Sequence, residues 1–199
     1  MAHHFIHTAF TPDVLRAQQA SYGSSRAVPP ASGPDELGAE EERFIHRRDS
    51  FYLASVNADG WPYLQHRGGP RGFLRVLDAH TLGFADLGGN RQLLTTGNVG
   101  GNDRVALFLM DYPGRERLKL IGHAEVIAAK ADPALAAALT PEGVPARLVE
   151  RLFRIRVTGF DWNCPNYITP RFTAEEIEHA AAPLRQRIAE LEARLGANS

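Results

Sequence analysis

The sequence predicts an α+β protein, mainly β, in which short antiparallel strands close into a barrel with flanking helices. Three observations lead to this prediction. Short β-prone segments follow one another from residue 50 to residue 158, and turns containing glycine or aspartate separate them. Segments of helical character lie on both sides of this region. The last segment, residues 173–199, repeats apolar residues at heptad spacing, which predicts an amphipathic C-terminal helix.

Residues 1–48 are predicted to form a helical arm and a linker. Thr11 can cap a helix that has Pro12 at its first position, where the missing N–H of proline costs nothing. Residues 21–34 are rich in serine, glycine and proline and show no helical or strand period. They predict an exposed linker or a wrapping arm. A second short helix is predicted over residues 35–48.

Residues 49–172 carry the strand signals of the barrel. A hairpin is predicted where residues 51–56 and 61–67 flank an Asn-Ala-Asp-Gly turn, because Asp-Gly tolerates positive φ. The further predicted strands are residues 73–77, 81–85, 104–111, 118–127 and 153–157. Residues 104–111, RVALFLMD, are almost continuously apolar, which predicts burial on both faces. Gly122 predicts a bulge or a close backbone approach. Residues 129–139 are predicted to be helical, with Asp132-Pro133 opening the second half of the segment.

The C-terminal segment, residues 173–199, has the signals of a capped amphipathic helix. Thr173 can cap it, and Glu176 stands three residues on, as a capping box requires. The apolar residues that alternate at spacings of four and three are Ile177, Ala181, Leu184, Ile188, Leu191 and Leu195. This heptad seam predicts packing against the chain's own barrel or against a helix of a second copy. Pro183 interrupts the segment and predicts a kink or a break.

Composition and charge exclude several classes of function. The 199 residues include 22 basic and 23 acidic side chains, so the net charge of -1 does not suit a surface that neutralises many nucleic-acid phosphates. The single cysteine, Cys164, cannot form an intrachain disulfide, which favours a reducing compartment. The longest apolar run, residues 105–110, is far shorter than the roughly 20 residues that span a bilayer. The N-terminus has histidines where a signal peptide is apolar, so we expect a cytoplasmic protein with no export signal.

Motifs of established catalytic chemistry are not found in the sequence. It contains no dinucleotide-binding glycine motif after a strand, no P-loop, no HExxH and no GxSxG. Cys164 has no histidine near it in sequence, which favours a packing role over a nucleophilic one. His3, His4 and His7 lie in a terminal segment that we expect to be mobile, and they do not predict a metal site. The catalytic residues therefore stay unassigned.

Three basic elements, two of them rich in glycine, are the candidate binding site. The first is a strand end followed by a turn, with Gln65, His66, Arg67 and Gly68. The second is residues 86–92, in which Asn90 can cap a short helix while the guanidinium of Arg91 faces the same point. The third is a pair of alternate residues on a later strand, Arg117 and Lys119. A helix N-terminus beside an arginine favours phosphate. Each element alone would suit a surface turn or a solvated strand, but together they predict an anionic ligand such as a nucleotide.

The stretches that carry these elements resemble the pyridoxamine 5′-phosphate oxidase-like proteins, the FMN-binding split-barrel family. They are DSFYLASVNADGWPYLQHRGGPRGFLRVLD, TLGFADLGGNRQ, NDRVALFLMDY and RLKLIGHAEV. The resemblance covers residues 49–127 and resumes near Trp162. It implies a six-stranded antiparallel split barrel with helices, which makes residues 49–172 the FMN-binding domain. It also implies a homodimer with two FMN sites at the subunit interface.

The resemblance implies roles for individual residues. Arg67 and Arg91 would be the leading ligands of the FMN phosphate, assisted by Asn90 and Gln92. Further contacts with FMN would come from Gln65, His66, Gly68, Ala85, Asp86, Arg117 and Lys119. Two residues of the second subunit would close over the flavin ring, Trp162 and Asn163.

The activity that the resemblance implies is an FMN-dependent oxidoreductase, in which the flavin carries hydride or electrons to or from a small molecule. The basic residues with which the oxidases of this family hold the phosphate of their substrate are not evident, although Arg71 and Arg75 lie nearby. Pyridoxamine phosphate is therefore not implied as the substrate. The alternatives are a non-catalytic flavin-binding or redox-relay module, a split barrel that binds haem or a deazaflavin, and a barrel that binds no cofactor.

Overall fold

The structure, a computed structural model, describes residues 3–30, 33–89, 91–162 and 166–197. The chain forms two compact units. The first comprises Met1–Met110 and Arg117–Cys164, and the second comprises Asp111–Glu116 and Pro165–Ser199. Among the described residues, no helix combines the length and the apolar character that crossing a membrane requires.

Seven strands form one antiparallel sheet. They are β1 (Ser50–Val56), β2 (Pro62–Gly68), β3 (Arg75–Asp78), β4 (Thr81–Leu87), β5 (Arg104–Asp111), β6 (Glu116–Ala128) and β7 (Val149–Trp162). Their order is β2-β1-β5-β6-β7-β4-β3, so within the described residues the sheet is open at β2 and β3. The predicted antiparallel α+β architecture is confirmed, but the predicted closure of the strands is not observed in the described residues, since β2 and β3 are the two edges of the sheet. The sheet has seven strands where the resemblance implies six, and the short β3 forms one edge.

The helices lie before, between and after the strands. They are α1 (His3–Ala9), α2 (Pro12–Tyr22), α3 (Ala39–His46), α4 (Leu94–Gly101), α5 (Pro133–Leu139) and α6 (Ala174–Ala197). The predicted cap of α2 is confirmed, since Thr11 Oγ1 accepts the N–H of Val14 at 3.4 Å. The helix predicted over residues 129–139 divides at Asp132, because its carboxylate accepts the N–H of Leu135 at 2.9 Å and starts α5 afresh.

The hairpin between β1 and β2 forms as predicted. The side-chain oxygen of Asn57 accepts the N–H groups of Asp59 and Trp61, at 3.0 and 2.9 Å. Gly60 has a φ of 83°, a conformation that glycine adopts without steric cost. These local contacts fix the register in which β1 pairs with β2.

The main core lies against one face of the sheet. Its largest fully buried side chains include Phe51, Leu53, Leu82, Phe84, Leu107, Leu109, Leu118, Leu120 and Phe153. Burial alternates along β5, where Leu107 is buried while Ala106 is exposed and Phe108 is half-buried. The prediction that residues 104–111 are buried on both faces is therefore wrong. In an antiparallel sheet, one face can pack on the core while the other faces solvent. The apolar composition of β5 did not reveal this, because the side chains on its solvent-facing side, such as Ala106 and Phe108, are apolar as well.

The N-terminal helix α1 is held on β7 by the buried carboxylate of Asp35. Its oxygens accept the N–H groups of His4 and Phe5 at 3.0 Å each and the N–H of Phe160 at 3.2 Å. Phe5 is buried, and a Cβ added at Gly159 would lie 2.6 Å from the Phe5 nitrogen. The expectation of a mobile terminus is therefore wrong. The first N–H groups of a helix have no acceptor within the helix, and Asp35 supplies one from 30 positions away.

Replacement of Asp35 by alanine should lower the free energy of unfolding by roughly 3 kcal/mol, because three N–H groups lose a charged acceptor in a buried place. Urea denaturation followed by circular dichroism measures this change. Asp59→Ala, in the exposed hairpin turn, is the control and should change stability by less than about 0.5 kcal/mol. Equal effects of the two replacements would show that Asp35 does not hold α1.

The pairing of β6 with β7 has a bulge beside Gly122, where the sequence predicts a bulge or a close backbone approach, and the extra residue is Thr158 of β7. The register of β6 with β7 shifts between Ile121 and Gly122. A Cβ placed on Gly122 would lie 2.3 Å from the carbonyl oxygen of Arg156, which is backbone and cannot move alone. Only glycine therefore lets the two strands approach this closely.

Candidate functional site

The two faces of β2 carry different side chains. Tyr63, Gln65 and Arg67 are half-buried and share one face. His66 is exposed on the other face, where its ring centroid lies 5.7 Å from that of Tyr52. Because side chains alternate along a strand, the predicted residues Gln65 and Arg67 come together and His66 is turned away from them.

Asp86 joins two arginines at the centre of the site. Arg67 Nη1 donates to Asp86 Oδ1 at 2.5 Å, and Arg151 Nε donates to Asp86 Oδ2 at 2.9 Å. Asp86 is buried and lies directly opposite Arg151 in the pairing of β4 with β7. Glu150 accepts from Arg151 Nη2 at 2.7 Å, so two cations and two anions balance here.

The guanidinium of Arg67 has a fixed position, and one of its N–H donors lacks an acceptor among the described residues. It lies over the rings of Phe84 and Phe153, 5.6 and 5.2 Å from their centroids. Its Nε is buried and has no hydrogen-bond partner among the described residues. A buried donor without an acceptor is costly, and in native proteins it calls for an explanation such as a bound ligand.

Arg151 keeps its charge at any physiological pH. Partial burial acts to lower the pKa of its guanidinium, but the hydrogen bonds and charges of Asp86 and Glu150 outweigh that effect. The pKa of Arg151 therefore lies above its ordinary value. The carboxylate of Asp86 consequently retains a permanent cationic neighbour on the side away from Arg67.

The N-terminus of α4 borders the same cluster. The helix begins at Leu94, after Leu93 adopts a left-handed conformation with φ 54°. The sequence predicts a helix start near Asn90, so the observed start lies four residues later; Asn90 itself is outside the described residues. The first-turn N–H groups of α4 have no acceptor within the helix and are available to a ligand or to water.

Two side-chain hydrogen bonds tie α4 to the strands beneath it. Thr95 Oγ1 donates to Gln65 Oε1 at 2.8 Å, and Asn98 Nδ2 donates to Ser55 Oγ at 3.0 Å. Thr95 and Ser55 are both buried. The start of α4 is therefore held beside β2 by contacts that satisfy buried polar groups.

A small cavity opens between these elements. Its volume is about 50 Å³. The residues around it are Tyr63, Gln65, Arg67, Asp86, Leu87, Leu93, Leu94, Thr95 and Thr96. A cavity of this volume has room for a small polar group and not for an aromatic ring system.

The other predicted residues of the first two elements lie around this cluster. Gly68 ends β2 and pairs with Ser50 of β1. Ala85 is buried on the opposite side of β4 from the cluster, in a second small core with Leu139, Val149 and Leu152. Arg91 and Gln92 are exposed in the turn that leads to Leu93.

The remaining predicted residues lie elsewhere in the first unit. Lys119 Nζ is 2.8 Å from Asp161 Oδ2. Trp162 Nε1 donates to Glu41 Oε1 at 2.8 Å, and the Trp162 ring packs edge-on against Phe44 at 4.7 Å. Arg117 has a buried Nε that lacks a hydrogen-bond partner in the described part of the chain. Asn163 lies outside the described residues. Within this chain, Arg117, Lys119 and Trp162 therefore do not line the cavity beside Arg67.

Two residues of the site, Arg151 and Thr95, were not among the sequence-based candidates. Arg151 precedes the alternating stretch of residues 153–157, and only the pairing of β4 with β7 places it opposite Asp86. Thr95 lies in a helix with no sequence signal of its own. A charge pair across two strands can be predicted only once their register is known.

The fold places the chain among α+β proteins built on an open antiparallel barrel. The family model described as pyridoxamine 5′-phosphate oxidase matches residues 37–158, which is more than half of the chain. The chain belongs to this family. A search of curated protein sequences gives no significant match.

Solved structures that resemble the chain are distant in sequence. HupZ of Group A Streptococcus is 15% identical, with a TM-score of 0.49, over 68% of this chain and 99% of its own. General Stress Protein 26 from Bacillus anthracis is 15% identical, with a TM-score of 0.47, over 66% and 92%. An FMN-binding protein from Syntrophomonas wolfei is 10% identical, with a TM-score of 0.43, over 63% and 85%.

Proposed function

We propose that the protein is a flavoprotein that binds FMN by its phosphate group, in the cavity between β2, β4 and α4. The observation that carries this proposal is the buried Nε of Arg67, a cationic donor without a partner among the described residues, in a side chain that lines a cavity of about 50 Å³. Membership of the pyridoxamine 5′-phosphate oxidase family supports a flavin as the ligand.

The residues around the cavity fit a phosphate group. A guanidinium has five N–H donors in a planar fork, and Asp86 occupies only one edge of Arg67. The first turn of α4 adds backbone N–H groups and the positive end of the helix dipole. In the turn before α4, Arg91 would add a second positive charge, and Asn90 and Gln92 would add hydrogen-bond donors. Asp86 would orient Arg67 and would not touch the phosphate, since two anions repel.

When bound, FMN supplies hydride or electron transfer. The chain's own residues then bind and orient the group: Arg67 holds the phosphate, Asp86 and Arg151 hold Arg67, and Thr95 with Gln65 holds the start of α4. None of these contacts requires a general base. We propose on this basis an oxidoreductase that acts on a small molecule, with a non-catalytic flavin-binding module as the alternative.

The phosphate cavity is tested by comparing FMN with riboflavin, which lacks the phosphate. Fluorescence titration should show that riboflavin binds at least about 100-fold more weakly, because charge-assisted hydrogen bonds are lost. Equal affinities would contradict binding through the phosphate. A Soret band with added haem would show that the protein binds haem, and tighter binding of a deazaflavin than of FMN would show that its cofactor is a deazaflavin.

Catalysis is tested separately from binding. NADH or NADPH is added without oxygen to the FMN-loaded protein, and the flavin absorbance is followed. Bleaching, with recovery when an electron acceptor is added, supports the oxidoreductase. If neither NADH nor NADPH bleaches the absorbance of the bound flavin, the result favours the non-catalytic module.

We further propose that the protein is a homodimer in which the second copy completes the FMN site. A cavity of about 50 Å³ can hold the phosphate but not the flavin ring, so the ring needs another wall. The proposed residues of that wall include Trp162 and Asn163 of the second copy, with Arg117 and Lys119 on the strand that would face the flavin. The indole of Trp162 is already oriented by its hydrogen bond to Glu41.

An apolar surface on the sheet supports the dimer. We call this surface the outer patch; it consists of Tyr52, Leu64, Phe108 and Ile121, which lie around a groove of about 490 Å³. Leu64 is 62% exposed, and Tyr52 pairs with Phe108 across β1 and β5. An antiparallel sheet that faces water on one side normally carries polar residues there. A contiguous apolar face instead indicates an interface.

Leu64→Asp should raise the dissociation constant of the dimer by at least about tenfold, because a carboxylate placed in an apolar interface loses its hydration without gaining a partner. Sedimentation velocity measures the change, and circular dichroism confirms that the fold persists. Leu148→Asp is the matched control, since Leu148 is 42% exposed and lies outside the outer patch. A dissociation constant that Leu64→Asp leaves unchanged would exclude this face of the sheet as the interface.

A further inference from the structure

The C-terminal helix α6 has an apolar face that is exposed to solvent. The predicted capping box is present: the N–H of Thr173 donates to the Glu176 carboxylate at 2.8 Å, and the N–H of Glu176 donates to Thr173 Oγ1 at 3.1 Å. The exposed apolar side chains are Ile177 at 54%, Leu184 at 67%, Ile188 at 55%, Leu191 at 43% and Leu195 at 70%. With Ala181 they form the heptad seam of α6. An apolar helix face of this kind normally packs against another helix or another surface, which removes it from water.

We propose that the seam of α6 pairs with the same seam of a second copy as a parallel two-stranded coiled coil. In heptad terms, the a positions are Ala181, Ile188 and Leu195, and the d positions are Ile177, Leu184 and Leu191; the centre of the seam therefore has isoleucine at a between two leucines at d. β-branched residues at a with leucine at d favour two parallel strands. The central heptad of α6 therefore has the side-chain types that favour this pairing.

The charges beside the seam select the parallel orientation. Arg187 is at a g position and Glu192 at the following e position, so in a parallel pair each Arg187 meets Glu192 of the second copy. The antiparallel alignment that covers the whole seam would place Arg185 against Arg185 and Arg187 against Arg187. Like charges in contact oppose that alignment, and only the parallel pair gives attraction across both flanks.

Pro183 does not interrupt the seam. The helix is continuous through Pro183, and this residue occupies a c position on the outer side of the helix. Arg185 forms an ion pair with Glu178, which bridges the turn that contains the proline. The predicted break is therefore not observed, and the heptad spacing of the six seam residues continues past Pro183 within one helix.

Disulfide trapping in the full-length chain tests the pairing. Ile188→Cys and Gln186→Cys are each made in a Cys164→Ser background and treated with diamide, without added flavin. In a parallel pair the two a positions face each other at disulfide range, whereas position 186 points outward. Ile188→Cys should cross-link at least about tenfold faster. Cross-linking of Ile188→Cys that is no faster than that of Gln186→Cys would overturn the proposal. This is the result expected if the seam packs against the protein's own chain.

A charge exchange tests the orientation in the same Ile188→Cys protein. Arg187→Glu should slow the cross-linking severalfold, and adding Glu192→Arg should restore it. Arg187 also forms an ion pair with Glu190 of its own helix at 2.9 Å, which the second change cannot restore. Rescue therefore reports the contact between helices, and a double variant as slow as Arg187→Glu would overturn the parallel pair. Flavin binding is measured separately, so either proposal can fail alone.

Discussion

Arg67→Ala is expected to weaken FMN binding by roughly 2–5 kcal/mol, a loss of about 30-fold to several thousand-fold in affinity. The substitution removes the buried cationic donor at the cavity wall and leaves the phosphate without its fixed partner. It should leave the fold intact, because Arg151 still pairs with Asp86 at 2.9 Å. Flavin fluorescence titration at constant ionic strength measures the change. Arg91→Ala should weaken FMN binding within the same range if the turn before α4 completes the phosphate site.

The specificity of the Arg67 effect is checked with two comparisons. Arg104→Ala removes an exposed arginine at the start of β5 and should leave FMN affinity unchanged. The weak binding of riboflavin should change little in Arg67→Ala, because riboflavin has no phosphate to lose. FMN affinity that does not change in Arg67→Ala would remove Arg67 from the site and, with it, the proposed cavity.

Gly122→Ala is expected to lower the free energy of unfolding by about 3 kcal/mol, near the upper end of the usual cost of overpacking. The new Cβ would lie 2.3 Å from the Arg156 carbonyl oxygen. Relief requires the backbones of β6 and β7 to separate, which strains the ladder on both sides of the bulge. Urea denaturation gives the free energy, and the midpoint should fall with little change in slope.

Gly100→Ala is the matched control for this loss. Gly100 lies within α4, and no atom stands within 4 Å of a Cβ added there. Alanine has the higher helix propensity, so this variant should be neutral or more stable by up to about 1 kcal/mol. If Gly122→Ala were as stable as Gly100→Ala, the close approach of β6 to β7 at the bulge would be wrong.

Local signals in the sequence correctly predicted the features that depend on neighbouring residues. The turn at residues 57–60, the cap of α2 at Thr11 and the capping box at Thr173 each form within a few positions. The bulge at Gly122 was predictable because glycine inside an apolar strand has few other uses. Such features need no knowledge of which strands pair.

The candidate site was predictable in part. The sequence singled out Arg67 and Asp86 separately, but the role of Asp86 as the carboxylate that holds Arg67 was not evident from it. Arg151 was missed altogether, since it stands 65 positions from Asp86 and meets it only through the register of β4 with β7. His66 was included because its neighbours in sequence were, although strand alternation turns it to the other face.

The sequence by itself determined the order of the seven strands, the hairpin turn, the caps at Thr11 and Thr173, and the apolar seam of α6, since these follow from short-range periodicity and backbone preference. Only the tertiary structure decided that Asp35 anchors α1, that one face of β5 stays uncovered, and that Arg67 retains a buried donor without a partner in the described chain. Each of these depends on contacts between residues far apart in sequence. Pairing and packing create those contacts, and no local pattern encodes them.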